Sequence, residues 1–324
     1  MASTSAPWLR RTFNRQRVGD SGIYVAFALL LVVFALLSPF FLSISNFSNV
    51  LTQGAVLMIA AFAMTFIIIS GEIDLSVSSL ASLVGVVAAL LLQRGVPVPL
   101  AVAAGLALGA LAGLLNGVLT VKGKIPSFIV TLGTFSILRG VAFLLTGATA
   151  VPLFSDAYRN WLFDAQVLGV PISIVYVAAT LGVLGFILRR TAFGNYVFAA
   201  GGNAAATRLA GINVDRVKIL VFTLSGAVFA LSGLMLTARL GTGLAESARN
   251  LELDAIAAVV LGGTSFQGGR GSLLRTVMGT LLIAVLNNGL TLLNVTYYAQ
   301  LIIKGAIIIA AVLLDRWARG GKTA

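Results

Sequence analysis

Long apolar stretches recur along nearly the whole chain, at residues 23–42, 50–70, 77–93, 98–121, 126–147, 171–189, 217–238, 252–263, 273–293 and 297–315. About 20 apolar residues let a helix cross the hydrocarbon layer of a bilayer, about 30 Å thick, where the backbone must satisfy its own hydrogen bonds. These ten stretches therefore predict an all-α, polytopic membrane protein of about ten transmembrane helices. The eighth, 252–263, is too short to cross and is expected to form a half-helix or part of a broken span. The spans mark out a membrane domain at 23–316, preceded by a basic tail at 1–22 and followed by a short tail at 317–324, both expected in the cytoplasm.

Composition narrows the classes of function. Of the 324 residues 59% are apolar and 10% charged, against about 45–50% and 25% in soluble domains. There is no Cys and no His. The chain thus lacks a thiol nucleophile, a thiolate metal site and the commonest general base, so an intramembrane enzyme is not expected, and neither a cofactor nor a metal. In a soluble chain the formal charge of +12 would point to nucleic acid; in one this apolar it predicts Lys and Arg held on the cytoplasmic side. With the N-terminus inside and every stretch crossing, the inner face collects Lys122, Lys124, Arg189, Arg190, Arg208, Arg216, Lys218, Arg270, Arg275, Arg316, Arg319 and Lys322. The outer face receives Arg94, the segment 148–170 with Asp156, Arg159 and Asp164, and the region of Arg239, Glu246, Arg249 and Glu252, where acids offset bases. The N-terminal cluster Arg10, Arg11, Arg15 and Arg17 imitates a twin-arginine export signal, but no small-residue cleavage site follows the first apolar run.

Several polar groups interrupt this pattern. Glu72 and Asp74 lie between the second and third spans, either as a hydrated connection among headgroups or as a charged relay or gate at the end of a broken helix. An extended backbone would put both carboxylates on one side. The longest inner connection, 191–218, reads at its centre as a short helix: Asn203 caps it, Ala204, Ala205 and Ala206 favour it, and Gly211 can end it in the left-handed conformation. Such an element, with a single base at Arg208, suits either docking in a groove of a soluble partner or lying on the membrane surface. Within the spans Gln53, Asn116, Thr131, Ser136, Asn287, Asn288 and Thr291 are polar and uncharged, and Arg139 and Lys304 alone bring charge well inside. The uncharged groups either line a path for a hydroxylated solute or bond one helix to another. No titrating carboxylate is evident at mid-membrane outside the Glu72 and Asp74 turn, which argues against a proton-coupled carrier. Gly105, Gly109 and Gly113, spaced by four, predict close helix packing. The sequence Gly320-Gly-Lys-Thr323 imitates the end of a phosphate-binding loop, but Arg316 stands where the pattern requires glycine. ATP, if used, must be bound by another polypeptide.

The chain resembles the permease subunits of bacterial ABC sugar importers of the ribose, xylose, galactose and arabinose type. The resemblance rests on Asn49-Val-Leu-Thr-Gln53, Ser70-Gly-Glu-Ile-Asp-Leu-Ser-Val-Ser-Ser79, Gly113-Leu-Leu-Asn-Gly117 and Lys124-Ile-Pro-Ser-Phe-Ile-Val-Thr-Leu-Gly-Thr134. It continues through Arg190-Thr-Ala-Phe-Gly194, Ala200-Gly-Gly-Asn-Ala-Ala-Ala206, Ala210-Gly-Ile212 and Val260-Leu-Gly-Gly-Thr-Ser-Phe-Gln-Gly-Gly-Arg-Gly-Ser272, covering about 46–316. The family usually has two glycines before the isoleucine and aspartate, and Glu72 replaces the second; it also has glycine where Ser78 stands here. The resemblance implies a type II importer fold and a non-catalytic subunit, working as a dimer, most simply a homodimer, in the bacterial inner membrane. It implies a cytoplasmic ABC ATPase that pushes on the 203–211 helix, and a periplasmic sugar-binding protein that delivers a monosaccharide to the outer face. Asn203, Arg208 and Gly211 are then expected to act in coupling, and Gln53, Asn116, Asn287 and Asn288 to line the path. The rivals are a branched-chain amino-acid permease of the same superfamily and a stand-alone secondary carrier or channel.

Overall fold

The computed structural model describes the backbone of residues 15–318 and the side chains of 23–307 and 309. The bases expected in the two tails, Arg10, Arg11, Arg15, Arg17, Arg316, Arg319 and Lys322, and the Gly320 to Thr323 motif lie outside the described side chains.

The chain opens with helices α1 (Arg15–Leu37), α2 (Ile44–Ile69), α3 (Val77–Gln93), α4 (Val98–Val121) and α5 (Ser127–Thr146). A short irregular region follows, with β1 (Val151–Pro152), α6 (Asp156–Arg159), a π-helical turn (Asn160–Asp164), β2 (Gln166–Val167) and β3 (Val170–Pro171). Then come α7 (Ile172–Arg190), α8 (Ala192–Gly202), α9 (Ala204–Leu209), α10 (Val214–Leu240), β4 (Thr242–Gly243), α11 (Leu251–Leu261), α12 (Leu273–Leu292) and α13 (Tyr297–Ala318). Helices α1 to α5, α7 and α10 to α13 coincide with the ten apolar stretches, which makes this an all-α polytopic membrane fold. Among the described residues α2, α4, α5, α7, α10 and α12 are long and apolar enough to cross a membrane by themselves. Helix α11, at 11 residues, spans only about 16 Å, so the eighth stretch is the short span its length predicted.

The boundaries follow local chemistry. Pro97, Pro126 and Pro171 stand directly before α4, α5 and α7, where a missing N–H costs nothing. Gly147 and Gly241 close α5 and α10 in the left-handed conformation.

Burial sorts the helices into a centre and a shell. In α2, 89% of the spanning residues are buried against α10, α12, α11 and α7, whereas in α7 only 17% are. A helix apolar on all sides, as α2 is from Ala55 to Ile69, belongs in the middle of a bundle. Helix α10 packs most closely on α4. A Cβ added to Gly109 would fall on the Gly226 carbonyl oxygen, and one added to Gly226 on that of Gly109. Gly113 meets the Phe222 carbonyl in the same way. The four-residue glycine spacing thus brings two backbones into contact, as close membrane packing requires.

Contacts between connections show that the basic ones share one end of the bundle. Lys122 Nζ lies 3.7 Å from Asp215 Oδ2, and Arg189 donates to Ser272 Oγ at 3.4 Å. Gly269 N donates to the Ile69 carbonyl at 2.8 Å. At the opposite end β1 pairs antiparallel with β4, Gln93 donates to the Pro152 carbonyl at 2.9 Å, and the buried Tyr158 hydroxyl donates to the Leu234 carbonyl at 3.0 Å. Burial pushes the Tyr158 phenol pKa upward.

Candidate functional site

Two places gather polar chemistry: a plate at the basic end and a cleft beside α11. The plate begins at α9. Asn203 Oδ1 accepts from Ala206 N at 2.9 Å, and Gly211 has φ +82°. Thr207 turns inward, while Ala205, Ala206, Arg208 and Leu209 face outward, Leu209 at 91% exposure. Arg208 donates to Asp215 Oδ1 at 3.0 Å, which steadies α9 against the first turn of α10. The sequence did not separate α8 from the rest of the connection. Its last turn holds the plate together: a Cβ on Gly201 would fall on the Ile69 carbonyl and within 2.8 Å of Gly269 N. Gly268, at φ +80°, lies against Gly71 and Gly201. The end of α2, the glycine-rich segment 262–272 and the α8–α9 corner are therefore one backbone-to-backbone contact.

Glu72 and Asp74 serve different partners within this plate. Glu72 forms a largely buried ion pair with Lys218 of α10. Asp74 is buried, and its Oδ1 accepts from Ser76 N at 2.8 Å and Ser76 Oγ at 2.6 Å at the start of α3. Burial raises the Asp74 pKa, and the hydrogen bonds from Ser76 and Asn116 oppose that rise. Asn116 Nδ2 donates to Ser76 Oγ at 3.0 Å, and Thr134 Oγ1 donates to Asn116 Oδ1 at 2.6 Å. Thr131, Ser127 and Ile73 continue the network: Ile73 N donates to Ser127 Oγ at 3.2 Å, and Thr131 Oγ1 to the Ser127 carbonyl at 2.8 Å. Asn116 thus lies in a fully hydrogen-bonded knot joining α3, α4 and α5, away from the cleft.

The cleft, of about 210 Å³, opens between α2, α10, α11 and α12 and is half polar. Gln53, Asn287 and Asn288 line it together with Arg239, Arg249 and Asp254. Asn288 exchanges two amide hydrogen bonds with Asn46, at 2.9 and 2.8 Å, and so ties α12 to α2. The Asn287 side chain bonds Asp254 while its Oδ1 is buried with no partner among the described residues, and Gln53 is exposed at the mouth. A second, larger cleft beside Trp161 is almost entirely apolar. Ser136 and Thr291 spend their hydroxyls on the carbonyls one turn back, Leu132 and Asn287.

The region of Glu246 and Arg249 follows β4, at the end where β4 pairs with β1, and residues 242–250 fold back along α3, where Ala248 N donates to Ser82 Oγ at 3.2 Å. Glu246 Oε1 comes within 3.9 Å of Arg139 Nη1 in α5, Arg139 lies over the Phe135 ring, and Arg249 enters the cleft. One expectation needs correction, that no carboxylate lies within the bundle outside the Glu72 and Asp74 turn. Asp254, within the short α11, is one, and both its oxygens accept from Lys304 Nζ of α13 at 3.0 Å. The two side chains are 17% and 11% exposed. Lys304 carried the missing signal, since a charge inside a span requires a counter-charge nearby.

Comparison with known proteins agrees with this architecture. The family model described as branched-chain amino acid transport system, permease component, matches residues 46–312. The chain is 48% identical to the probable ABC transporter permease protein YphD of Escherichia coli K12, over 94% of this chain and 92% of the relative. It is 41% identical to the ribose import permease protein RbsC of the same organism, over 94% and 96%. With the L-arabinose ABC transporter permease protein AraH of Azospirillum brasilense it shares 37% identity, over 95% and 91%. No solved structure matches.

Proposed function

Because this chain belongs to the family of branched-chain amino acid transport system permease components, and within it to the ABC sugar-importer permeases, we propose that it passes a monosaccharide, a ribose-like pentose or a related sugar, across the bacterial inner membrane. The observation that carries this reading is the similarity to a ribose import permease over 94% of this chain and 96% of the relative. The chain works as a homodimer with both termini and the basic end in the cytoplasm. A cytoplasmic ABC ATPase closes on ATP and presses on α9 through its exposed face, Arg208 and Leu209. The Gly201–Ile69–Gly269 contact passes that displacement to α2, whose other half borders the cleft. A periplasmic binding protein delivers the sugar, and nucleotide binding shifts the population between outward-open and inward-open states.

The family's description favours a second reading, import of a branched-chain amino acid. That solute carries an ammonium group, and the carboxylate available in the cleft, Asp254, is already matched by Lys304. The test is uptake into proteoliposomes holding the permease, its ATPase and binding protein. ATP-dependent uptake of a pentose, insensitive to a protonophore, is expected; ATP-dependent uptake of leucine alone, or sugar uptake that needs a proton gradient and no ATPase, overturns the reading.

Coupling through α9 makes a separate prediction. A Cβ on Gly211 meets nothing within 4 Å, so its positive φ alone resists substitution. Gly211→Val costs about 1–2 kcal/mol of backbone strain and displaces the end of α9. Sugar-stimulated ATP hydrolysis is expected to vanish while membrane insertion persists. Gly211→Asn, whose side chain tolerates the left-handed region, keeps most of the stimulation. Equal activity in the two variants removes α9 from the coupling route.

A further inference from the structure

An acid and two bases stand on one uncovered face of the chain at mid-membrane depth. Arg139 lies 12 positions after Ser127, the first of the 20 residues of α5, hence about 18 Å along a helix of about 30 Å. Ala245 clusters with Ala142 of that helix and Leu83 of α3, which holds Glu246 at the same level. The Glu246 side chain is 46% exposed and that of Arg249 more so, while only 22% of the spanning residues of α5 are buried. Charges facing acyl chains are costly, so at this depth they turn to protein or to water. Among the described residues nothing covers this face; it therefore borders water, and a second copy of the chain keeps lipid out. An isologous pairing of two copies sets the same face opposite itself.

The pairing on this face is loose. Glu246 Oε1 lies 3.9 Å from Arg139 Nη1 and Oε2 lies 3.9 Å from Arg249 Nη1, whereas charge-assisted hydrogen bonds run at about 2.7–2.9 Å. Neither carboxylate oxygen accepts a hydrogen bond among the described residues. Arg139 is steadied from behind, by the Phe135 ring 4.5 Å from its Cζ and by Ser78 Oγ, to which its Nη2 donates at 3.4 Å. Acid and base thus balance each other across a gap suited to one hydroxyl, which accepts from the guanidinium and donates to the carboxylate. Arg249 leaves one surplus positive charge, which disfavours a cationic solute.

We propose that Arg139 and Glu246 are a specificity-determining pair for the solute: halfway across the membrane a sugar hydroxyl bridges them, and the Glu246 carboxylate selects for a hydroxyl donor. The proposal deepens the sugar reading above and rests on it.

The chain has no Cys, so a single introduced thiol reports its own surroundings. The full-length chain, assembled with its ATPase and binding protein in nanodiscs, is treated with the impermeant anion sulfonatoethyl methanethiosulfonate, which reacts with a hydrated thiolate. Glu246→Cys is expected to be modified, and the pentose-loaded binding protein with ATP slows the reaction where the sugar-free protein does not. Val183→Cys, on the exposed side of α7, resists because lipid covers it. In proteoliposomes Glu246→Leu lowers maximal pentose uptake at least tenfold, the loss of one hydrogen bond to a charged acceptor. Glu246→Gln, whose amide oxygen accepts the same bond, keeps most of the rate, and both variants unfold at the wild-type temperature because the side chain is exposed. Resistance of Glu246→Cys to the reagent, modification that sugar does not slow, or equal uptake by the Leu and Gln variants overturns the pair; wild-type pentose uptake then leaves the functional reading standing. Import of leucine and of no pentose by the wild-type assembly brings down the sugar reading and the pair with it.

Discussion

Gly201→Ala is expected to abolish ATP-driven uptake, whereas Gly202→Ala, one residue further on, leaves it near the wild-type rate. The two glycines end the same helix and differ only in what lies beside them. A methyl group at 201 collides with the Ile69 carbonyl and crowds Gly269 N, which are backbone atoms that no rotamer change can move. At 202 the nearest atom is Gly269 Cα at 3.7 Å, an ordinary contact. Overpacking typically costs 1–3 kcal/mol, and a backbone-on-backbone clash belongs at about 3 kcal/mol. Relief comes by parting the α8–α9 corner from the end of α2, which breaks the 2.8 Å bond from Gly269 N to Ile69. The loss is therefore of communication: both variants insert and bind the ATPase, and uptake in proteoliposomes distinguishes them. At 202, alanine also removes the conformational cost of a helical glycine, about 0.5–1 kcal/mol. Equal uptake by the two variants disproves transmission through this contact.

Much of this architecture is legible in the residues taken one at a time. Apolar runs locate the spans, and the brevity of 252–263 marks the broken one. Asn203 and Gly211 mark a helix by local capping chemistry, and Gly105, Gly109 and Gly113 mark a close helix pair. What escapes such reading depends on partners distant in sequence. The path of residues 242–250 back along α3 is one case: Ser82, 166 positions away from Ala248, supplies the hydroxyl that accepts from the Ala248 backbone N–H. Asn288 and Asn46 look like two lining amides, and each instead satisfies the other across 242 positions. Asn116, equally polar, is consumed by Ser76 and Thr134. Of the four amides expected on the path, Asn287 bonds Asp254 and keeps its Oδ1 buried, so geometry leaves Gln53, exposed at the cleft mouth, with hydrogen-bonding capacity to offer a solute.

Lys304→Met is expected to destabilise the chain by about 3–5 kcal/mol, the usual cost of leaving one member of a buried ion pair uncompensated. Asp254 then has no counter-charge in an apolar helix, and α13 loses its polar tie to α11. A lower unfolding temperature and early aggregation in size-exclusion chromatography check this. Replacing both residues, Lys304→Met with Asp254→Leu, removes the stranded charge and restores stability to near wild type, since apolar pairs of similar volume commonly match buried ion pairs. Here stability and transport part company. If the pair only fastens α11 to α13, the double variant transports as well as it folds. If the Asp254 carboxylate accepts from sugar hydroxyls, the double variant folds and assembles with its ATPase yet passes sugar at least tenfold more slowly, the effect of one lost bond to a charged acceptor. The first outcome is the expected one: Lys304 and Asn287 both bond the Asp254 carboxylate and so fasten α11 to α13 and α12, a structural task that well-packed apolar residues of similar volume commonly perform as well.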